Sequence, residues 1–190
     1  MIGDRFFLVD PLDGTREFVK DGEDFTVNIA LASDGASETG FVDVSITNTT
    51  YVGSPDDAFM VWDDARQPLQ CGPPAVPLRV VVSNAHRTPE TDTWIAALEA
   101  RHGACATVTI GSSLKFCLLA EARADVYPRF GRTMRWDTAA GCAVLRATGG
   151  MTFHTDGRPL TCGKFADREG MGDISFANPY FMASADGRFP

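Results

Sequence analysis

Phe6-Phe7-Leu8-Val9-Asp10-Pro11-Leu12-Asp13-Gly14-Thr15 (FFLVDPLDGT) runs from four apolar residues into two carboxylates, a proline, a glycine and a threonine. The apolar part reads as a buried strand, and such a strand needs neighbours. Pro11 lacks an amide donor and Gly14 relieves a tight backbone, so Asp10 to Thr15 reads as a turn at the strand's end, with Thr15 to Val19 forming a short helix. A strand-to-turn segment can aim the carboxylates of Asp10 and Asp13 and the carbonyl of Leu12 at one point. Hard oxygen donors of this kind suit Mg2+. The free amides at the start of the following helix, around Gly14 and Thr15, offer a seat for a phosphate oxygen. Alone the pattern is modest, because Asp, Gly and Thr are also ordinary turn residues.

Outward from this segment, Phe25 to Leu31 (FTVNIAL), Thr39 to Ile46, Thr50 to Gly53 and Ala58 to Trp62 alternate as strands with turn residues between them, which predicts an antiparallel meander. Gln67 to Pro77 (QPLQCGPPAVP) holds four prolines and breaks both periodicities, so the division is placed near residue 75: residues 1–75 as an α+β part and 76–190 as a layered α/β part. Beyond it, Leu78 to Ser83 reads as a buried strand, Pro89 to Arg101 as a helix and Ala104 to Ile110 as a strand. Ser112 or Ser113 can cap a helix running toward Ala122, Ala124 to Pro128 can be a strand, and Asp137 stands before an Ala-rich helix ending at Gly149-Gly150. The tail holds strand-like pieces around a turn at Asp156-Gly157, then a polar loop from Gly163 to Asp173. The fold class is α/β.

With 44% hydrophobic and 22% charged residues the chain has the composition of a globular protein. The net charge of -8 and the scatter of Lys and Arg exclude a long nucleic acid as partner. An acidic protein that takes a phosphorylated small molecule needs metal ions or a few well-placed cations to offset the ligand's charge. The five cysteines form no C-x-x-C pair, so neither a zinc site nor a disulfide framework is indicated; they read as small buried apolar residues in a reducing cytoplasm. No apolar stretch approaches the roughly 18 residues that span a bilayer, and the start lacks a signal-peptide profile. Trp62, Trp94 and the thirteen Phe residues read as core or packing surface.

Far downstream, Trp136-Asp137-Thr138-Ala139-Ala140-Gly141 (WDTAAG) puts another carboxylate at a helix start, followed by small residues that allow close packing; by itself Asp137 reads as an N-cap. DPLDGT and WDTAAG in this order resemble the two metal-site signatures of the inositol monophosphatase superfamily. Between them, Gly111 to Cys117 (GSSLKFC) and Tyr127 to Gly131 (YPRFG) resemble segments of its bacterial 3'(2'),5'-bisphosphate nucleotidases. The resemblance covers nearly the whole chain.

It implies that superfamily's α/β sandwich, without its first helices and hairpin, and a site with two or more Mg2+ ions. Asp10 would bridge two metals, Leu12 would lend its carbonyl, Asp13 and Asp137 would hold the second metal, and Thr15 would orient the attacking water. Gly14 and Thr15 amides would hold the phosphate for an in-line displacement with no covalent phosphoenzyme. Ser112, Lys115 and Arg129 match nucleotide-contacting positions, and so does His86 in Ser83-Asn84-Ala85-His86. Inositol phosphatases place a carboxylate near the position of Arg129; a guanidinium and the Lys115 ammonium suit a second phosphate instead. The implied activity is Mg2+-dependent hydrolysis of adenosine 3',5'-bisphosphate to AMP, clearing a by-product of sulfate assimilation and sensitive to lithium. It belongs to the cytoplasm, or to the inner membrane's periphery. Cys142 departs from the histidine usual after the second motif.

Superfamily members also carry an upstream acidic pair, a glutamate ligand and a water-activating carboxylate. Residues 1 to 9 offer only Asp4, at the wrong end of its strand. The sequence therefore reads as amino-terminally truncated, with an uncovered sheet that invites a homo-oligomer or a complementing chain. Two rivals stand beside the nucleotidase: an inositol-phosphate phosphatase, and an inactive nucleotide-binding fragment.

Overall fold

The structure, a computed structural model, describes residues 5–83, 87–160 and 176–190. Its first half is a meander of six antiparallel strands in sequence order: β1 (Arg5–Asp13), β2 (Thr26–Ser33), β3 (Ala36–Val44), β4 (Thr49–Gly53), β5 (Ala58–Trp62) and β6 (Ala65–Pro68), with helix α1 (Thr15–Val19) between β1 and β2. The β2–β3 hairpin turns at Asp34-Gly35 and the β5–β6 hairpin at Asp63-Asp64, all four with positive φ, the backbone that tight hairpins require. Residues 69–78 then lead to a second sheet, ordered β10-β11-β9-β7-β8. It comprises β7 (Arg79–Ser83), β8 (Ala106–Ile110), β9 (Val126–Arg129), β10 (Met151–His154) and β11 (Phe181–Ser184). Strand β7 is parallel to β8 and β9, while β11 is antiparallel to β9 and β10. Helices α2 (Pro89–His102), α3 (Leu114–Ala120) and α4 (Arg135–Ala147) connect these strands.

Three expectations change. The first strand does not stop at Asp10: it runs to Asp13, with a register irregularity between Asp10 and Asp13. Pro11 is tolerated there because an irregular edge-strand position needs no amide donor. Nor is the strand buried on both faces. Leu8 points into the core, whereas Phe7 is 68% and Val9 50% exposed. With Ile29 and Phe41 they line the side of the sheet facing away from the core, and Trp62, Phe18 and Phe189 are exposed as well, so the aromatic residues are not uniformly core. Lastly, the proline-rich passage contributes its first two residues, Gln67 and Pro68, to β6, where Pro68 occupies an edge strand. Of the described cysteines, Cys117 and Cys142 are buried and Cys71 and Cys105 half-buried.

One hydrophobic core joins the halves, running from Leu8 and Val42 through Val81 and Phe116 to Phe181. Its centre is α4, which packs on β1 to β4 although it belongs to the second half of the chain. The approach is close because both surfaces are nearly bare of side chains. A Cβ on Gly40 would lie 2.3 Å from the Ala140 carbonyl oxygen, and one on Gly53 would lie 2.4 Å from Val144 Cα. On the helix's other side, a Cβ on Gly141 would lie 2.5 Å from the Phe116 ring. In a densely packed interior such contacts leave no room for an added methyl.

Gly40→Ala is therefore expected to destabilise the chain by about 1–3 kcal/mol through overpacking against helix backbone. Gly35→Asn, at a hairpin turn with open space around the missing Cβ, meets only the strain of a left-handed φ of 87°, which asparagine bears better than most residues, and should cost no more than about 1 kcal/mol. Urea unfolding midpoints of the two variants check this.

Candidate active site

The irregularity of β1 presents the first carboxylates. The Leu12 amide donates to Asp10 Oδ1 at 3.0 Å, holding the bend, and Thr15 Oγ1 donates to the Leu12 carbonyl at 3.0 Å. Gly14 has φ 87° and lies so close to the next loop that a Cβ would meet the Asp24 carbonyl oxygen at 2.7 Å. Only glycine meets both demands. The Asp24 carboxylate in turn accepts from the Gly111 amide at 2.9 Å, which clamps the first motif's loop to the loop before α3.

Asp137 is not the N-cap of α4 but lies three residues inside the boundary, where its Oδ2 accepts from the Met134 amide at 2.8 Å. It satisfies a free donor of the helix start from the third helical position. Ser113 does precede α3, yet its side chain makes no capping bond. Its Oγ lies 2.7 Å from Asp13 Oδ2 and 2.6 Å from the Asp137 carbonyl oxygen. Ser112 holds a left-handed φ of 43°, unusual for a residue with a Cβ, and its carbonyl accepts from Lys115 Nζ.

A cavity of about 250 Å³ brings together Asp13, Gly14, Thr15, Ser112, Lys115, Arg129 and Asp137. Asp10 is half-buried beside it, coupled to Asp137 through a side-chain hydrogen bond, and Leu12 takes part through the Thr15 contact. His86, Asp4 and the 163–173 loop lie outside the described residues. Arg16, Glu17 and Arg132 also line the cavity, and nothing in their spacing singled them out. Asn28 was legible in principle: it is a polar residue at an inward position of an alternating strand.

Charges of both signs line the cavity. Burial raises the pKa of Asp10, and it lifts Asp137 to about 7 with help from the neighbouring Asp13 and Asp10 charges. Burial lowers Lys115 to about 8; Asp13 counters this while Arg129 adds to it. Arg129 is buried, donates to the Arg132 carbonyl at 3.0 Å, and has no partner for Nε among the described residues. Crowded, partly desolvated carboxylates of this kind are relieved by a cation, and an all-oxygen donor set fits Mg2+. Among the described residues no three acidic, histidine or cysteine side chains are spaced to hold an ion as they stand. The fit is one of donor chemistry, with carboxylates that are still shared with hydrogen-bond donors.

The sequence profile of the inositol monophosphatase family matches residues 3–171. The 3'(2'),5'-bisphosphate nucleotidase CysQ of Escherichia coli K12 is 42% identical over 180 residues, covering 95% of this chain and 68% of that protein. The protein of the same name from Buchnera aphidicola is 36% identical over 184 residues, covering 95% and 64% respectively. Among solved structures, CysQ from Bacteroides thetaiotaomicron superposes with a TM-score of 0.83 at 34% identity, over 96% of this chain and 70% of that one. An inositol monophosphatase from Zymomonas mobilis gives 0.75 at 20% identity, over 98% and 67%, a likeness of fold.

Raising the Asp137 pKa from 3.8 to about 7 means that the folded chain keeps a proton which the unfolded chain has already lost. Stability then falls as pH rises through that window. Asp137→Asn, which can still accept from Met134 and donate to Asp10, should make the metal-free chain more stable at pH 8 by on the order of 2 kcal/mol. Thermal melts in a chelator at pH 5 and pH 8 measure it: the variant's gain in melting temperature should be clearly larger at pH 8 than at pH 5.

Proposed function

Because the chain belongs to the inositol monophosphatase family, we propose that it is a Mg2+-dependent 3'(2'),5'-bisphosphate nucleotidase that hydrolyses adenosine 3',5'-bisphosphate to AMP and phosphate. The observation that carries this reading is a single cavity lined both by the carboxylates Asp13 and Asp137 and by two buried cations, Lys115 and Arg129. The 42% identity to a CysQ nucleotidase across nearly the whole chain supports it.

Asp10, Asp13, Asp137 and the Leu12 carbonyl would hold the metal, as two or more ions. Bound there, Mg2+ neutralises phosphoryl oxygens and lowers the pKa of a water. Gly14 and Thr15 hold the scissile phosphate through their amides. The Thr15 hydroxyl gives its proton to Leu12, which leaves its lone pairs to accept a proton from the attacking water and so orient it. Water oxygen adds to phosphorus as the bond to the 3'-oxygen breaks; of the water's two protons one ends on that oxygen, which leaves as the ribose hydroxyl, and the other stays with the released phosphate. Lys115 and Arg129 take the second phosphate. Buried cations with no anion bonded to them gain more from a dianion than from the hydroxyls of a polyol, which favours a bisphosphate over an inositol phosphate. Ser112, whose carbonyl holds Lys115, positions that ammonium. No described helix is long and apolar enough to cross a membrane.

Phosphate release from adenosine 3',5'-bisphosphate should require Mg2+, exceed release from inositol 1-phosphate, and vanish in Asp10→Asn. A preference for the inositol substrate sinks the assignment. Arg129→Ala should raise KM for the bisphosphate roughly 10- to 100-fold while leaving a monophosphate substrate much less affected. KM should also rise with pH through about 8, where Lys115 loses its charge.

A further inference from the structure

We propose that Ser113 and Asn28 are positioning residues for the Asp13 carboxylate: they occupy one of its oxygens, leave the other to a cation, and tie it to the turn of α4 that carries Asp137. The proposal rests on the Mg2+-dependent reading of this site. Asn28, on the inward face of β2, is 1% exposed, and Ser113, at the start of α3, is 2% exposed. Asn28 Nδ2 donates to Asp13 Oδ2 at 3.2 Å and to Ser113 Oγ at 2.9 Å. The carboxylate fixes which way the amide points, since only its NH2 end can face an anionic oxygen.

Both Asn28 protons are thereby committed to the site, and its own Oδ1 is left without a partner among the described residues. Ser113 has one proton and two acceptors within reach, Asp13 Oδ2 and the Asp137 carbonyl. It accepts from Asn28 and serves one or the other. Four elements, β1, β2, α3 and α4, therefore meet at a single hydroxyl. Helix capping does not explain Ser113, because its side chain makes no capping bond. Asn28 donates to Asp13 Oδ2 and the Ser113 hydroxyl lies within donating distance of the same oxygen, so Oδ1 is the oxygen offered to a metal. Groups that orient a ligand in this way typically contribute roughly 10- to 100-fold to metal affinity.

The test measures Mn2+ binding to the whole chain by electron paramagnetic resonance without nucleotide, with melting in a chelator as the control for folding. Ser113→Ala should bind Mn2+ roughly 10- to 100-fold more weakly, with KM for the bisphosphate at saturating Mg2+ unchanged and Ser113→Thr recovering most of the affinity. Asn28→Ala should weaken binding too, and the double variant should lose less than the product of the two, because Asn28 acts in part through Ser113. Unchanged Mn2+ affinity in folded Ser113→Ala overturns the proposal, as does an unaltered chain that binds no Mn2+. If the Ser113 effect on Mn2+ appears but no variant or parent releases phosphate from the bisphosphate, the positioning role stands and the nucleotidase reading falls.

Discussion

Where α4 crosses the first sheet, two strand positions carry no side chain: Gly40 and Gly53 lie against the helix backbone, and a methyl at either position would collide with Ala140 or Val144. The helix answers with Ala139, Ala140, Gly141 and Ala143, all buried. Close contact between nearly bare surfaces fixes height and angle more tightly than interlocking side chains, which can change rotamer. That contact sets the start of α4, and with it Asp137, beside the end of β1. A site assembled from residues 10–15 and 136–141 thus depends on glycines that carry no chemistry.

Bringing three carboxylates together has an electrostatic cost that the metal-free chain meets in two ways. Asp137 takes up a proton near neutral pH and shares a hydrogen bond with Asp10. Asp13 is held instead by Asn28 and Ser113. A divalent cation is the natural resolution of this strain, and the family is generally Mg2+-dependent. The same cavity holds Lys115 and Arg129, both buried, and the Arg129 charge opposes the charge on Lys115 while Asp13 supports it. A phosphorylated ligand bound together with a cation answers both sets of charges.

The outer face of the first sheet is a separate matter. Phe7, Val9, Ile29 and Phe41 form an exposed apolar stripe on the side away from α4. The chain spans 68% of the E. coli relative it matches, and a stripe of this kind is the sort of surface that proteins cover.

Much of the fold was legible because it follows local rules. The alternation in FTVNIAL and its neighbours specified the meander, the glycine and proline punctuation located the turns, and DPLDGT with WDTAAG named the carboxylates. What failed locally failed for a physical reason: Phe7 and Val9 look like core because hydrophobicity does not say which side of a strand is covered. Asp137 looked like a cap because a helix start can be satisfied from its third position as well as from its boundary. By itself the sequence determined the elements, the acidic motifs and the family they resemble. Only tertiary structure decided that Gly40 and Gly53 receive α4, that Ser113 serves Asp13 and Asp137 rather than its own helix, and that Lys115 and Arg129 are buried together. Each of these depends on contacts between residues far apart in the chain, and no local pattern encodes the distance between them.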